Sequence, residues 1–115
     1  MVSNNSSGSH SLKYGSTKEY LRKIKFVSEK ALNVDTHSID LSCNDLIQTF
    51  NKYKDKIDSE KPLTIKNSSG YNVFDSFKNN RIDFAKLLTG SEGTLGIFTE
   101  ITLDVIDAPK NIATA

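Results

Sequence analysis

The chain has 115 residues, with 15 basic and 14 acidic side chains and a net charge of +1. This length suits one small domain with a modest core, and the balanced charge provides no basic field for a nucleic-acid backbone. No apolar run approaches the roughly 20 residues of a membrane-spanning helix, and the N-terminus lacks the basic and apolar regions of a signal peptide. A single cysteine, Cys43, excludes an internal disulfide and a four-thiolate metal site, so we expect a cytoplasmic protein without a metal centre.

The first predicted element follows a polar segment. Residues 1–11 are rich in hydroxyls and amides, and composition alone predicts a frayed tail. Ser16 and Glu19 then have the spacing of a capping box, in which a hydroxyl precedes a carboxylate by three residues. This spacing predicts a short helix that begins at Ser16, with Tyr20 and Leu21 on its inner side.

Strand and helix signals alternate in the next part of the chain. Residues 24–29 alternate in polarity, with Ile24 and Phe26 on one face, and predict a strand with one wetter face. Residues 30–41 are mixed and predict one or two short edge strands. Residues 44–57 predict one helix, because their apolar side chains recur every three or four positions: Leu46, Ile47, Phe50, Tyr53 and Ile57.

The ends of this helix also have sequence signals. Ser42 or Asn44 would cap it, and Asp45 would lie in its first turn near the positive end of the helix dipole. The charged residues 51–56 would form its solvated face, and Pro62 would interrupt whatever precedes it.

A turn and two short helices are predicted before the last strand. Residues 67–71 have the composition of a tight turn, and Val73, Phe74 and Phe77 suggest a helical turn that packs onto the core. Residues 83–88 predict a helix, with Asp83 as its cap and Gly90 as its stop signal.

The strongest strand signal lies at residues 97–105. Strict alternation predicts that Ile97, Ile101, Leu103 and Val105 face inward and that the strand ends before Pro109. The mixed order of elements, without regular β-α-β repetition, predicts an α+β fold with an antiparallel sheet flanked by helices.

A glycine-rich loop leads directly into this last strand. Gly90, Gly93 and Gly96 occur within seven residues, and glycine allows a ligand to lie directly on the backbone. The loop is not a Walker loop, since the Gly-Lys-Ser/Thr ending is absent and a strand follows it. Spacing alone leaves open whether the loop binds a ligand or is a turn between a helix and a strand.

A second candidate loop lies near the N-terminus. Its small hydrogen-bonding residues, Asn4, Asn5, Ser6, Ser7 and Gly8, are followed by Tyr14 and Gly15. They would suit a polar ligand, and the alternative is a disordered terminus. His10 in this loop is a conceivable acid–base group, although a lone loop histidine is more often a solvated side chain.

Three segments together resemble a known family. Residues 2–20 (VSNNSSGSHSLKYGSTKEY) resemble the segment after the Gly-Gly pair in FAD-linked oxidases of the vanillyl-alcohol oxidase and p-cresol methylhydroxylase type. Residues 88–103 (LTGSEGTLGIFTEITL) are similar to the segment that closes the FAD domain in that family. Residues 66–72 (KNSSGYN) resemble a motif of its D-lactate dehydrogenase and glycolate-oxidase-like branch. The three matches occur in the family's order.

This resemblance implies that residues 1–115 are the second, α+β part of a two-part FAD-binding domain. It implies FAD contacts from two groups of residues that would line one groove. The first group is Asn4, Asn5, Ser6, Ser7, Gly8, Tyr14 and Gly15, and the second is Glu92, Gly93, Thr94, Leu95, Gly96 and Ile97.

The family's other parts have no counterpart in this sequence. The first FAD subdomain and the substrate cap domain, which supplies the acid–base groups, would come from the remainder of a parent flavoenzyme. The resemblance therefore implies a parent that oxidises a 2-hydroxy acid such as D-lactate, and a chain that is inactive alone and has no catalytic residue. The alternative is a small α+β interaction module whose glycine loops are structural.

Overall fold

A sheet of three antiparallel strands forms the centre of the computed structural model, which describes residues 1–39, 44–64 and 67–108. Within these ranges the strands are β1 (Leu21–Val27), β2 (Asn33–Asp35), β3 (Phe77–Lys78), β4 (Arg81–Ile82) and β5 (Ile97–Leu103). The helices are α1 (Ser11–Tyr14), α2 (Thr17–Tyr20), α3 (Asn44–Lys52), α4 (Lys54–Ser59), α5 (Val73–Ser76) and α6 (Phe84–Leu88). The predicted α+β class with an antiparallel sheet and helices is confirmed.

Strand β1 lies between β2 and β5 and pairs antiparallel with both. Ile24 is completely buried and Phe26 nearly so, which confirms the face predicted from alternation. The strand begins at Leu21, three residues earlier than predicted. The mixed segment after it provides one edge strand, β2, while residues 40 and 41 lie outside the described ranges.

The prediction of which side chains in the last strand face inward is largely wrong. Ile97 is 73% exposed, Ile101 is 41% exposed and Val105 is 92% exposed, whereas Leu103 is half-buried. Ile101 pairs with the buried Ile24, but β5 is an outer strand of the described sheet and leaves it partly open. Val105 lies beyond the end of the strand, and Pro109 lies outside the described residues.

A β-bulge explains why Ile97 points outward. Lys25 pairs with Glu100, but the next residue, Phe26, pairs with Phe98, so that Thr99 is an extra residue in β5. A bulge of this kind exchanges the two faces of a strand on one side of it. It turns Phe98 onto the core, where strict alternation would have placed Ile97.

The core lies between the sheet and helix α6, and it includes the N-terminus. Its buried apolar residues are Val2, Leu21, Ile24, Phe26, Ala85 and Leu88. Val2 is 4% exposed and begins a 3-10 turn, Val2–Asn4, that ends at the buried Asn5. The expectation of a frayed N-terminal tail is therefore wrong, because one apolar side chain anchors the segment in the core.

Helix α2 is present as predicted, but its predicted capping box is absent. Ser16 is the N-cap residue, yet its side chain makes no capping hydrogen bond. Asn5 Oδ1 instead accepts the backbone N–H of Lys18 at 3.0 Å, and the Ser6 carbonyl accepts that of Thr17 at 3.1 Å. A loop distant in sequence thus satisfies the first N–H groups of the helix, which its own N-cap would otherwise do.

The predicted single helix over residues 44–57 is two helices. Tyr53 separates α3 from α4, with φ −104° and ψ 8°, and α4 continues to Ser59, before Pro62. Asp45 lies in the first turn of α3 as expected, and residues 51–56 are exposed as expected. The candidate cap Ser42 and the single cysteine Cys43 lie outside the described residues.

The remaining local predictions are largely confirmed. Asp83 caps α6 by accepting the backbone N–H of Lys86 at 3.0 Å. The turn at residues 67–71 contains a 2.9 Å hydrogen bond from the Ser69 N–H to Asn67 Oδ1. The helical turn near Val73 is α5, but Phe77 belongs to β3, where its ring stacks on Phe50 with centroids 4.9 Å apart.

Within the described residues, no helix is both long and apolar enough to cross a membrane.

Candidate functional site

The two loops singled out from the sequence lie side by side. The Gly90 N–H donates to the Val2 carbonyl at 3.2 Å, and the Glu92 N–H donates to the Ser3 carbonyl at 2.9 Å. A Cβ added to Gly90 would lie only 3.6 Å from Asn5 Cβ. The N-terminal loop and the glycine-rich loop, whose contacting residues are 85 or more positions apart along the chain, therefore form one continuous backbone surface.

A groove of about 590 Å³ opens beside this surface. Asn5, Thr89 and Gly90 contribute to its lining where the two loops meet. Residues of the segment from Gly15 to Glu19, at the start of α2, and residues 67–72 also line it. The groove thus lies between three segments that the sequence separates widely.

Only part of the predicted N-terminal set lines the groove. Asn5 and Gly15 do so, whereas Asn4, Ser6 and Gly8 are exposed outside its lining. Ser6 serves α2 through its carbonyl, which also accepts a 2.6 Å hydrogen bond from the Thr17 hydroxyl.

Tyr14 does not line the groove, and it contacts Tyr20, His10 and Lys13. Its carbonyl accepts the Tyr20 hydroxyl at 2.6 Å, and its ring lies edge-on to the exposed His10 with centroids 6.4 Å apart. The Lys13 ammonium lies 5.0 Å from the centroid of the same ring. His10 therefore packs edge-on against the Tyr14 ring.

The glycine-rich loop divides into an open part and a packed part. Gly93 has a φ of +82°, and a Cβ there would meet nothing within 4 Å. Gly96 has a φ of +153°, and a Cβ there would lie 2.7 Å from both Phe26 Cδ2 and the Val27 carbonyl oxygen. Gly93 therefore leaves space beside the backbone, whereas Gly96 is required by close packing on β1.

None of the predicted residues 92–97 of this loop is part of the groove lining. Leu95 packs against the hydrophobic core, and Ile97 lies on the exposed side of β5. Glu92 is exposed with a φ of +52° and is bound to the N-terminal loop by its N–H. The Thr94 hydroxyl accepts or donates a 2.9 Å hydrogen bond with Tyr71, a groove residue.

Each of the two loops holds a buried serine hydroxyl without a partner among the described residues. These are Ser7 Oγ and Ser91 Oγ, and Ser91 as a whole is only 2% exposed. A buried hydroxyl that makes no hydrogen bond costs free energy, so native structures usually supply a partner, which can be a ligand or water. The two orphaned hydroxyls therefore indicate that these loops have unused capacity to bind a polar group.

An ion-pair cluster forms one wall of the groove. The Lys18 ammonium lies 2.6 Å from Asp75 Oδ2, and the Lys61 ammonium lies 3.2 Å from Oδ1 of the same carboxylate. The hydrogen bond from Lys18 lowers the pKa of Asp75 below its ordinary value; the bond from Lys61 adds to this effect, and partial burial opposes it. Asp75 is therefore held as a carboxylate that joins α2 to α5.

Sequence reasoning missed the wall formed by residues 67–72 and this ion-pair cluster. The resemblance of residues 66–72 to a family motif was a usable signal, although no site residue was assigned from it. Lys18 and Asp75 are 57 positions apart and belong to no shared motif, so no local pattern could have joined them. Within the described residues, no three His, Cys, Asp or Glu side chains are grouped as they would be at a metal site.

Three curated proteins are similar to the chain over nearly its whole length. A D-lactate dehydrogenase of Anaerostipes hadrus is 31% identical over 111 residues, which are 96% of this chain and 16% of that protein. A D-2-hydroxyglutarate dehydrogenase of Escherichia coli is 26% identical over an alignment of 127 positions, which covers 96% of this chain and 12% of that protein. A D-2-hydroxyglutarate dehydrogenase of Xanthomonas citri pv. viticola is 30% identical over 108 residues, or 94% of this chain and 16% of that protein.

The chain therefore spans about a sixth or less of the length of these relatives, all of which are dehydrogenases named for 2-hydroxy acids. No protein-family model matches it. The similarity to a D-lactate dehydrogenase agrees with the branch indicated by the sequence motifs.

Proposed function

We propose that this chain forms part of the FAD-binding region of a larger dehydrogenase that oxidises a D-2-hydroxy acid, such as D-lactate. The observation that carries the proposal is the backbone contact between the N-terminal loop and the glycine-rich loop, through Val2 with Gly90 and Ser3 with Glu92. These two loops carry the sequence resemblance to FAD-linked oxidases. The names of the relatives support the 2-hydroxy acid as substrate class.

The residues present in the two loops fit such a cofactor. The unpartnered hydroxyls of Ser7 and Ser91 would satisfy phosphate or ribityl oxygens, and the open space beside Gly93 would admit a bulky group to the backbone. In this proposal the cofactor-binding set is the one indicated by the resemblance, extended by Ser91. Gly96 would contribute by packing the loop on β1, rather than by direct contact.

A bound flavin would supply the redox chemistry as the acceptor of the hydride from the 2-hydroxy acid, and the proton of the substrate hydroxyl would go to a base of the parent protein. This chain would provide a polar wall that positions the cofactor and excludes water from one side of it. The acid–base groups would come from a cap domain in the remainder of the parent protein, together with the first FAD subdomain. The chain alone would therefore be inactive, and it would correspond to the second subdomain of a p-cresol methylhydroxylase-type FAD domain.

The proposal is tested by titrating FAD with the chain and following the quenching of flavin fluorescence. The titration is repeated with the remaining part of the A. hadrus D-lactate dehydrogenase supplied as a separate polypeptide. We expect quenching that is weak with the chain alone and strong when both parts are present. Ser91→Ala should weaken the binding of FAD without lowering the stability of the fold, because the hydroxyl that it removes bonds to none of the residues that the structure describes.

A matched control is Ser59→Ala, since Ser59 is exposed on α4 and its hydroxyl donates to the Lys56 carbonyl of the same helix at 3.0 Å. This variant should bind FAD with the same affinity as the unsubstituted chain. Equal losses of affinity in both serine variants would contradict the assigned role of Ser91.

A second candidate function is a small interaction module whose glycine loops are structural. The tight packing of Gly96 against Phe26 and Val27 favours this alternative, because it gives one glycine of the loop a role that needs no ligand. The absence of quenching in both titrations would support the module and overturn the flavin proposal.

A further inference from the structure

The ring of Tyr71 forms an accessible part of the groove wall. Tyr71 is 46% exposed and follows Gly70, where an added Cβ would meet nothing within 4 Å. Space is therefore open beside the backbone of the residue that precedes Tyr71. An exposed tyrosine side chain in a groove is suited to stacking on a planar group, because its ring is apolar and its hydroxyl can be hydrogen-bonded.

Hydrogen bonds fix this ring to the glycine-rich loop. The Thr94 hydroxyl donates to the Ser91 carbonyl at 2.6 Å, so its single proton is already used. The Tyr71 hydroxyl, 2.9 Å from Thr94 Oγ1, must therefore be the donor of that hydrogen bond. The resulting chain from Tyr71 through Thr94 to Ser91 holds the ring in a defined position, which lowers the entropic cost of stacking a ligand against it.

The groove around Tyr71 is lined by both polar and apolar side chains, and its charges are balanced among the described residues. Its charged side chains are Lys18, Glu19, Lys61 and Asp75, and both ammonium groups are already engaged by the one carboxylate of Asp75. The segment that carries Tyr71 adds the amides of Asn67 and Asn72 and the hydroxyls of Ser68 and Ser69 to the lining, and Phe74 adds an apolar side chain. This chemistry suits an uncharged, hydroxylated group better than a free phosphate.

We propose that Tyr71 is a stacking platform for the planar ring of a nucleoside-like group, and that the hydroxyls and amides of residues 67–72 bind the sugar or polyol attached to that ring. The inference rests on the proposed function, because a flavin dinucleotide carries two such groups, an adenosine and a riboflavin. It adds a third wall to a site that the resemblance confined to two loops.

The test is a titration of the chain with adenosine, riboflavin or inorganic phosphate, followed by NMR of the Tyr71 ring and of the amides of residues 67–72. We expect adenosine or riboflavin to shift these signals. The one that binds more tightly identifies the half of the dinucleotide that the groove binds. Inorganic phosphate should leave the Tyr71 ring signals unchanged.

Three variants test the role of the ring. Tyr71→Leu should weaken the binding of the responding nucleoside about tenfold, as is typical when a stacking aromatic is removed. Tyr71→Phe keeps the ring and should lose much less affinity. Tyr53→Leu is the matched control, because Tyr53 is 48% exposed at the junction of α3 and α4, outside the groove.

The inference is overturned if neither nucleoside shifts the Tyr71 signals, if phosphate shifts them instead, or if Tyr53→Leu weakens binding as much as Tyr71→Leu. Denaturation curves of the variants separate a loss of folding from a loss of binding. If the Tyr71→Leu variant quenches flavin fluorescence as much as the unsubstituted chain does, this inference is overturned and the flavin proposal stands. Binding of adenosine at Tyr71 without any quenching of FAD supports this inference and contradicts the flavin proposal.

Discussion

Asn5 holds the N-terminal loop against helix α2, and its removal should destabilise the fold more than removal of the helix's own N-cap. Asn5 is 5% exposed, and its side-chain oxygen accepts the Lys18 N–H at 3.0 Å. Its backbone is left-handed, with φ 44° and ψ 49°, a conformation that asparagine tolerates better than alanine. Ser16 occupies the N-cap position but makes no capping bond.

The magnitudes follow from these contacts. Asn5→Ala loses a hydrogen bond, leaves the Lys18 N–H without its partner and adds left-handed strain, so the free energy of unfolding should fall by about 2–3 kcal/mol. Asn5→Gly loses the same bond without the strain and should cost about 1–2 kcal/mol. Ser16→Ala should cost less than about 0.5 kcal/mol, although removal of a working serine N-cap typically costs about 1 kcal/mol.

The assay is urea denaturation of the three variants, followed by circular dichroism, with the dependence of the unfolding free energy on urea compared between them. If Ser16→Ala costs as much as Asn5→Ala, the helix is capped locally and the assigned role of Asn5 is wrong. If Asn5→Gly and Asn5→Ala cost the same, the left-handed strain makes no contribution.

Three further predictions concern single residues. Gly96→Ala should lower the free energy of unfolding by about 2–4 kcal/mol, because it combines overpacking with backbone strain, whereas Gly93→Ala should lower it by only about 1–2 kcal/mol; chemical denaturation compares the two. The hydrogen bond from Lys18 lowers the pKa of Asp75 below the ordinary value of 3.8. Asp75→Asn should therefore lower the free energy of unfolding above pH 4, and its effect should disappear as the pH falls through the lowered pKa. Unfolding curves of both proteins across that pH range check this. Asp83→Ala should cost about 1 kcal/mol at neutral pH and Asp83→Asn much less, as measured by thermal or urea unfolding, because the capping oxygen is kept.

Sequence predicted those parts of the fold that depend on local chemistry. The Asp83 cap lies three residues from its donor, and the burial of Ile24 and Phe26 follows from simple alternation within one strand. The bulge at Thr99 was not predictable, since it arises from the pairing of β5 with a strand more than 70 residues away. The same limit explains why Ser16 was assigned a role that Asn5 performs.

The candidate site shows the same division. Composition and glycine spacing identified the N-terminal and glycine-rich loops, the family motifs assigned both to one cofactor, and the backbone bond between Ser3 and Glu92 brings them together. Sequence could not distinguish the open Gly93 from the packed Gly96, because the difference depends on Phe26 in β1. It also could not place Tyr71 against Thr94, since a side-chain contact across 23 positions has no local signature.

The most direct test of the account is to add FAD to the isotopically labelled chain, with the remaining part of the A. hadrus D-lactate dehydrogenase present, and to follow the backbone amide signals. We predict that the amides of residues 4–8 and 90–95 shift together and saturate at one FAD concentration, while those of the exposed α4 do not move. Shifts confined to one of the two loops, or no shift in either, would contradict the claim that these loops form one wall of a flavin dinucleotide site.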